Sequence, residues 1–192
     1  MAYTTLAALK TYLAIATTTD DALLTDLIAR AGAIIDAYCG RVFEAAADST
    51  RTLDAVRDVS ADRRTVYIDA DLAQITSVSN AGEAVVPSAY VPEPQAPPYY
   101  GLRLRIATGQ TWNYATDPED AISITGRWAY SVSAPADIAQ ACIRLAAYLY
   151  RQRDNAGEID RPLVTPDGHT LLPGRLPDDV VLMLDPYRRR VR

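Results

Sequence analysis

No apolar run in the sequence approaches the roughly 20 residues that a membrane-spanning helix needs. The longest, "IRLAAYLY", is broken by Arg144. Nor does the chain open on a basic stretch followed by an apolar one, the mark of a secretory leader. A cytoplasmic product with no membrane step is therefore expected. Cysteine is scarce: Cys39 and Cys142 stand more than a hundred residues apart, form no CxxC or Cys/His spacing, and each falls in an apolar helical pattern. Such cysteines behave as small hydrophobes, and a reducing compartment disfavours a disulfide between them. The single histidine, His169, has no partner nitrogen or thiol at ligand spacing, which argues against a metal site. Phosphate-cradling GxxxxGK[ST], dinucleotide-binding GxGxxG and nucleophile-elbow GxSxG are all missing. The carboxylate pairs in "GRLPDD" and "ATDPED" suit helix and turn caps, with no acid–base partner beside them. The chain reads as a protein without catalysis, cofactor or metal.

What remains is an ordinary soluble composition, 49% hydrophobic and 22% charged over 192 residues. A chain of that length buries about 70% of its unfolded surface and needs no staples. It is acidic, with 24 Asp+Glu against 19 Lys+Arg. Lys10 is the only lysine, and the arginines crowd one end, where "LMLDPYRRRVR" holds Arg188, Arg189, Arg190 and Arg192. Cations after a last helix offset its C-terminal partial charge, which accounts for one or two of them. The remainder suit a phosphate or carboxylate partner.

Apolar spacing divides the chain. Thr4 and Thr5 can cap a short helix carrying Leu6, Leu9 and Leu13. "TTTDD" opens a second, with Leu24, Leu27, Ile28, Ala31, Ile35 and Tyr38 on one stripe and Gly40 as a left-handed cap. From about Thr50 the period shortens to that of strands. Val66 and Ile68 share a face, and so do Leu102, Leu104 and Ile106, and Ile122 with Ile124. "NAG" reads as a tight hairpin turn, and "VPEPQAPPYY", with four prolines in ten residues, as a loop or extended edge. Helix returns after Pro135, a residue that suits a first helical turn, with Ile138, Cys142, Leu145 and Leu149 inward.

The expected fold is α+β. A helical frame of about four helices (1–49, 131–154 and 176–192) is interrupted by a small antiparallel sheet or barrel over 50–130. Residues 155–175, rich in proline and glycine, read as a flexible loop. Trp112, Tyr114 and Trp128 near Arg103, Arg105 and Arg127 raise the possibility of stacking single-stranded bases. Packing of a sheet face suits an acidic chain better.

The order of these segments resembles the head–tail connector (adaptor) proteins of tailed bacteriophages and gene transfer agents. The matching stretches are "LAALKTYLAI", "DDALLTDLIARAGAIIDAYCGRVF" with Tyr38, Gly40, Arg41 and Phe43 in an aromatic–x–Gly–Arg–x–Phe turn, "ITSVSNAGEAVVPSAYV", "ISITGRWAYSVSAPADIAQACIRLAAYLYRQR" and "LPDDVVLMLDPYRR". The resemblance implies a structural protein of the virion neck, made in the bacterial host cytoplasm. It implies self-assembly into a dodecameric ring under the portal protein, extension of the DNA channel, and a docking surface for a stopper or tail-terminator protein. Genomic DNA would pass without sequence-specific binding. The C-terminal segment would engage the portal, which makes Leu176, Val180, Leu184, Tyr187, Arg188, Arg189, Arg190 and Arg192 the candidate docking residues. Removing 176–192 is then expected to leave the fold intact. The alternative is an independent nucleic-acid-binding protein that uses the arginine-rich end.

Overall fold

A computed structural model describes residues 2–152, 163–164, 170–171 and 176–189. Their fold is α+β, with four α-helices, two small antiparallel sheets and a separate two-stranded pairing. The chain divides into two compact units, Arg41–Ala134 and the sequence on either side of it.

The flanking unit is helical. Helix α1 (Leu6–Leu13) starts where the Thr5 hydroxyl accepts the Ala8 amide at 3.2 Å, meeting one of the orphan donors of a first turn. It ends at Ala14, whose backbone turns left-handed. Helix α2 (Asp21–Cys39) runs until Gly40, at φ 65°. Only glycine adopts that conformation without a Cβ penalty, so the helix stops there. Helix α3 (Ala136–Gln152) follows Pro135, whose carbonyl accepts the Ala139 amide at 3.0 Å. Helix α4 (Asp178–Leu184) comes last. The unit's core is built from Leu9, Leu24, Ile28, Ala31, Ile35, Ile138, Ala141 and Leu145, all at most 3% exposed. Tyr38, expected on the α2 stripe, is only half-buried, and Cys39 takes the interior place.

Cys142 is fully buried, and desolvation pushes its thiol up to about 11. Both cysteines are free thiols, and a thiol that far above neutral pH holds almost no thiolate, the reactive form. A disulfide-exchange reagent at pH 7 is expected to titrate no thiol in the native protein and two in guanidinium. Rapid native labelling of either would contradict this burial.

The inner unit is all β. One sheet has the order β1 (Ser49–Leu53), β7 (Ile122–Arg127), β3 (Gln74–Asn80), β4 (Glu83–Ala84). The other has the order β2 (Thr65–Leu72), β6 (Tyr99–Leu104), β5 (Tyr90–Glu93). Val66, Leu72, Leu102, Leu104, Trp112, Ile122 and Ile124 make its core. The expected tight turn joins β3 to β4. Ala81 and Gly82 both have positive φ, 53° and 86°, as the two central residues of a type I′ turn require. Ile106 departs from its expected face. Strand β6 ends at Leu104, and Ile106 opens a 3-10 turn in which it is 83% exposed.

A short pairing unseen in the sequence pattern joins β8 (Leu163–Val164) and β9 (Thr170–Leu171) in antiparallel register. The rest of the expected loop 155–175, His169 included, lies outside the described residues.

Candidate functional site

Helix α4 carries Val180 and Leu184 one turn apart, and spacing of four puts both on a single face. Both are 0% exposed within the helical unit. Polar contacts fasten the same segment. Arg144 of α3 pairs with Asp179. The Tyr38 hydroxyl of α2 donates to Asp185 at 2.6 Å, and the Tyr187 hydroxyl donates to Asp137 at 3.2 Å. The Arg189 amide donates to the carbonyl of Cys39 at 2.8 Å. Acceptance of the Tyr38 proton by Asp185 is the main reason the phenol is held above its ordinary range.

These contacts sort the candidate docking residues. Val180 and Leu184 belong to the core and present nothing to a partner while α4 stays in place. Leu176 and Tyr187 are half-buried, whereas Arg188 and Arg189 are exposed. The Arg188 guanidinium lies 5.1 Å from the centre of the Tyr38 ring, a cation–π arrangement that holds the charge outward. Arg190 and Arg192 lie outside the described residues. Leu182, which sequence reasoning passed over, is 79% exposed. Its spacing of two from both Val180 and Leu184 already placed it on the far side of the helix. The exposed residues of this segment are Asp178, Leu182, Asp185, Pro186, Arg188 and Arg189, and Asp185 lines one shallow surface with Pro186 and the two arginines. Removing 176–192 is not a clean test of it, because it would strip Val180 and Leu184 from the core.

Trp112, Tyr114 and Trp128 do not form a stacking platform. Trp112 is fully buried, and its indole N–H donates to the Arg64 carbonyl at 3.0 Å. Trp128 is 7% exposed and donates to the Ser49 carbonyl at 2.8 Å. Of the neighbouring cations, Arg103 pairs with Glu93 at 2.9 Å and Arg127 with Asp48 at 2.8 Å. Of these three only Tyr114 is open, with the Arg63 guanidinium 5.8 Å from its ring centre. Among the described residues no group of three or more His, Cys, Asp or Glu side chains could hold a metal ion, and no helix is long and apolar enough to cross a membrane.

A family model described as head completion protein matches residues 2–190. No curated protein matches the sequence. The solved structures that share the fold include two from gene transfer agent particles. One is described as the neck of an empty GTA particle computed with C6 symmetry, with a TM-score of 0.59 at 18% identity over 97% of this chain and 90% of that one. The other is described as the virion of a native gene transfer agent particle, with a TM-score of 0.57 at 19% identity and the same coverage.

Proposed function

Because this chain belongs to the head completion protein family, we propose that it is a structural protein of the head–tail neck whose basic C-terminal surface meets the portal. Copies assemble into a dodecameric ring under the portal, lengthen the DNA channel, and present a surface to a stopper or tail-terminator protein. The observation that carries the portal contact is the exposure of Arg188 and Arg189, on a segment that Val180 and Leu184 anchor in the helical core. An anchored helix presents these cations without the ordering cost that a loose tail would incur on binding. The acidic balance of the chain, 24 Asp+Glu against 19 Lys+Arg, suits a channel wall past which DNA slides.

The test is the double variant Arg188→Glu/Arg189→Glu. Both residues are exposed, so it is expected to fold. Juxtaposed like charges cost several kcal/mol at an interface, so binding to purified portal is expected to fall by roughly tenfold or more. Heads would then lack attached connectors. Unchanged binding and normal tail joining would refute the assignment. The nucleic-acid alternative makes a different forecast. Purified protein would shift duplex DNA, with log affinity falling against log salt by about 0.9 per phosphate contacted. DNA binding lost in the double variant while portal binding persists would favour that alternative.

A further inference from the structure

In the β1–β7–β3–β4 sheet every pair of neighbours is antiparallel. With four strands, the two outer ones therefore run in opposite directions. A second copy set alongside in the same orientation would bring its β1 against β4, again antiparallel. The faces agree too. Arg51 is paired with Ile124, and Glu83 with Asn80, which is paired with Ile122. Directly opposed residues project from the same face of a sheet, as do residues two apart. Arg51 and Glu83 thus share one face, at opposite edges.

Both edges are open. Residues 49–52 of β1 are exposed, and so are Glu83 and Ala84 of β4. The chain continues extended to Val86, at φ −67° and ψ 144° and 58% exposed, before Pro87 ends the run. Edges of the other sheet are protected by the usual devices. Strand β5 carries Pro92, which has no amide to donate. Strand β2 is flanked by a bridge between Val59 and Val66, with the Tyr67 amide donating to the Asp58 carbonyl at 2.7 Å. Strand β1, "STRTL", has neither proline nor lysine.

The two edges also differ in sign. Arg51 forms no ion pair with any described residue. Its guanidinium lies 4.6 Å from the centre of the Trp128 ring, a cation–π contact that leaves its charge unneutralised. Although it pairs with neither Asp58 nor Asp69, it borders a cleft of about 170 Å³ shared with both and with Thr52, Leu53, Arg57, Tyr67 and Trp128. That is smaller than the roughly 300 Å³ lower bound of small-molecule sites and suits a protruding side chain. Glu83 likewise has no ion pair with described residues.

We propose that β1 of one copy pairs with Glu83–Val86 of the next, Arg51 meeting Glu83, so that the sheet runs on from subunit to subunit. This rests on the ring reading above. The contact is head-to-tail, the kind that closes into a ring when the rotation per copy permits. A strand pair of three or four residues falls short of the roughly 1,000 Å² of a stable interface. Copies are therefore expected to stay apart in dilute solution and to pair once gathered on the portal.

With Arg51 opposite Glu83, the antiparallel register sets Thr50 opposite Ala84. The double variant Thr50→Cys/Ala84→Cys, bound to purified portal and mildly oxidised, is expected to give a ladder of covalent multimers on a non-reducing gel. The native thiols are buried and will not compete. Arg51→Glu and Glu83→Arg, each checked for folding by tryptophan fluorescence, are expected to cut ring assembly on portal by at least tenfold. Combining them should restore it. Complete rings from the single variants, absence of the ladder, or failure of the charge swap to restore assembly would overturn the edge contact while leaving the ring intact. If the unaltered chain forms no ring on portal, the ring reading falls, and the edge contact with it.

Discussion

Replacing Gly126 by alanine is expected to unfold the β unit. Gly126 sits in β7, paired with Ser49 on one side and Ile75 on the other. The register of β3 slips between Ile75 and Ser77, so the two backbones approach closely beside Gly126. A Cβ there would lie 2.0 Å from the Gln74 carbonyl oxygen and 3.2 Å from the Ile75 Cα. Both are main-chain atoms of a central strand, so no side chain can swing aside. Relief requires β3 to move away from β7, which breaks the ladder at the middle of the sheet. The cost is expected to be on the order of 4 kcal/mol or more, in the range reserved for severe packing failures. Trp112 and Trp128 both belong to this unit, so their fluorescence follows its unfolding apart from that of the helices. A midpoint lowered by about 15 °C or more is expected, or no folded β unit at all. Gly101→Ala is the internal comparison. Its Cβ would be 3.1 Å from the Val66 carbonyl oxygen, a crowding that a shift of tenths of an ångström relieves, so the loss should be much smaller. A Gly126→Ala protein that melts within a few degrees of the parent would refute the argument.

Arg41→Met is expected to destabilise the same unit by about 3–5 kcal/mol, because it leaves Asp71 buried without its countercharge. The Arg41 Nε lies 3.5 Å from Asp71 Oδ2, with the two side chains only 11% and 4% exposed. Among the described residues neither carboxylate oxygen of Asp71 has a hydrogen-bond partner, nor does the Arg41 Nε. Attraction across the pair is thus the main compensation for removing the carboxylate from water. The guanidinium also lies 5.1 Å from the centre of the Tyr130 ring, which packs edge-on against fully buried Phe43. Charge alone is not the whole role, and Arg41→Lys should recover only part of the loss. Arg41→Met/Asp71→Leu should recover most of it, since an apolar pair of similar volume replaces a buried ion pair at little cost. Denaturant titration followed by tryptophan fluorescence measures all three. A double variant no more stable than Arg41→Met would show that the buried carboxylate is not the source of the loss.

Much of the fold was legible in the sequence. Thr5 and Gly40 bracket α1 and α2 where capping chemistry put them, and Ala81–Gly82 turns where hairpin chemistry required. These features depend on a few adjacent residues. The misreadings have two causes, one distant in the chain and one local. Tyr38 matched the buried stripe of α2, yet its hydroxyl is drawn to Asp185, 147 residues away. Ile106 kept the alternation of β6 although the strand had already ended.

The candidate surface was half legible for the first of these reasons. The arginines at the end of the chain are conspicuous in composition, and their exposure at 188 and 189 needed no tertiary information. Val180 and Leu184 could equally have been read as docking residues or as core, because an apolar stripe does not say which partner covers it. The grooves of α2 and α3 decided that, and Leu182 was left outside. Periodicity, caps and charge thus determined on their own the α+β order of elements and the basic end, since each arises from neighbours a few residues apart. Tertiary structure alone decided which apolar residues are consumed internally, that Arg41 faces Asp71, and that Arg51 and Glu83 stand on one face at opposite sheet edges. Those relations depend on the pairing of distant segments, and local sequence carries no record of it.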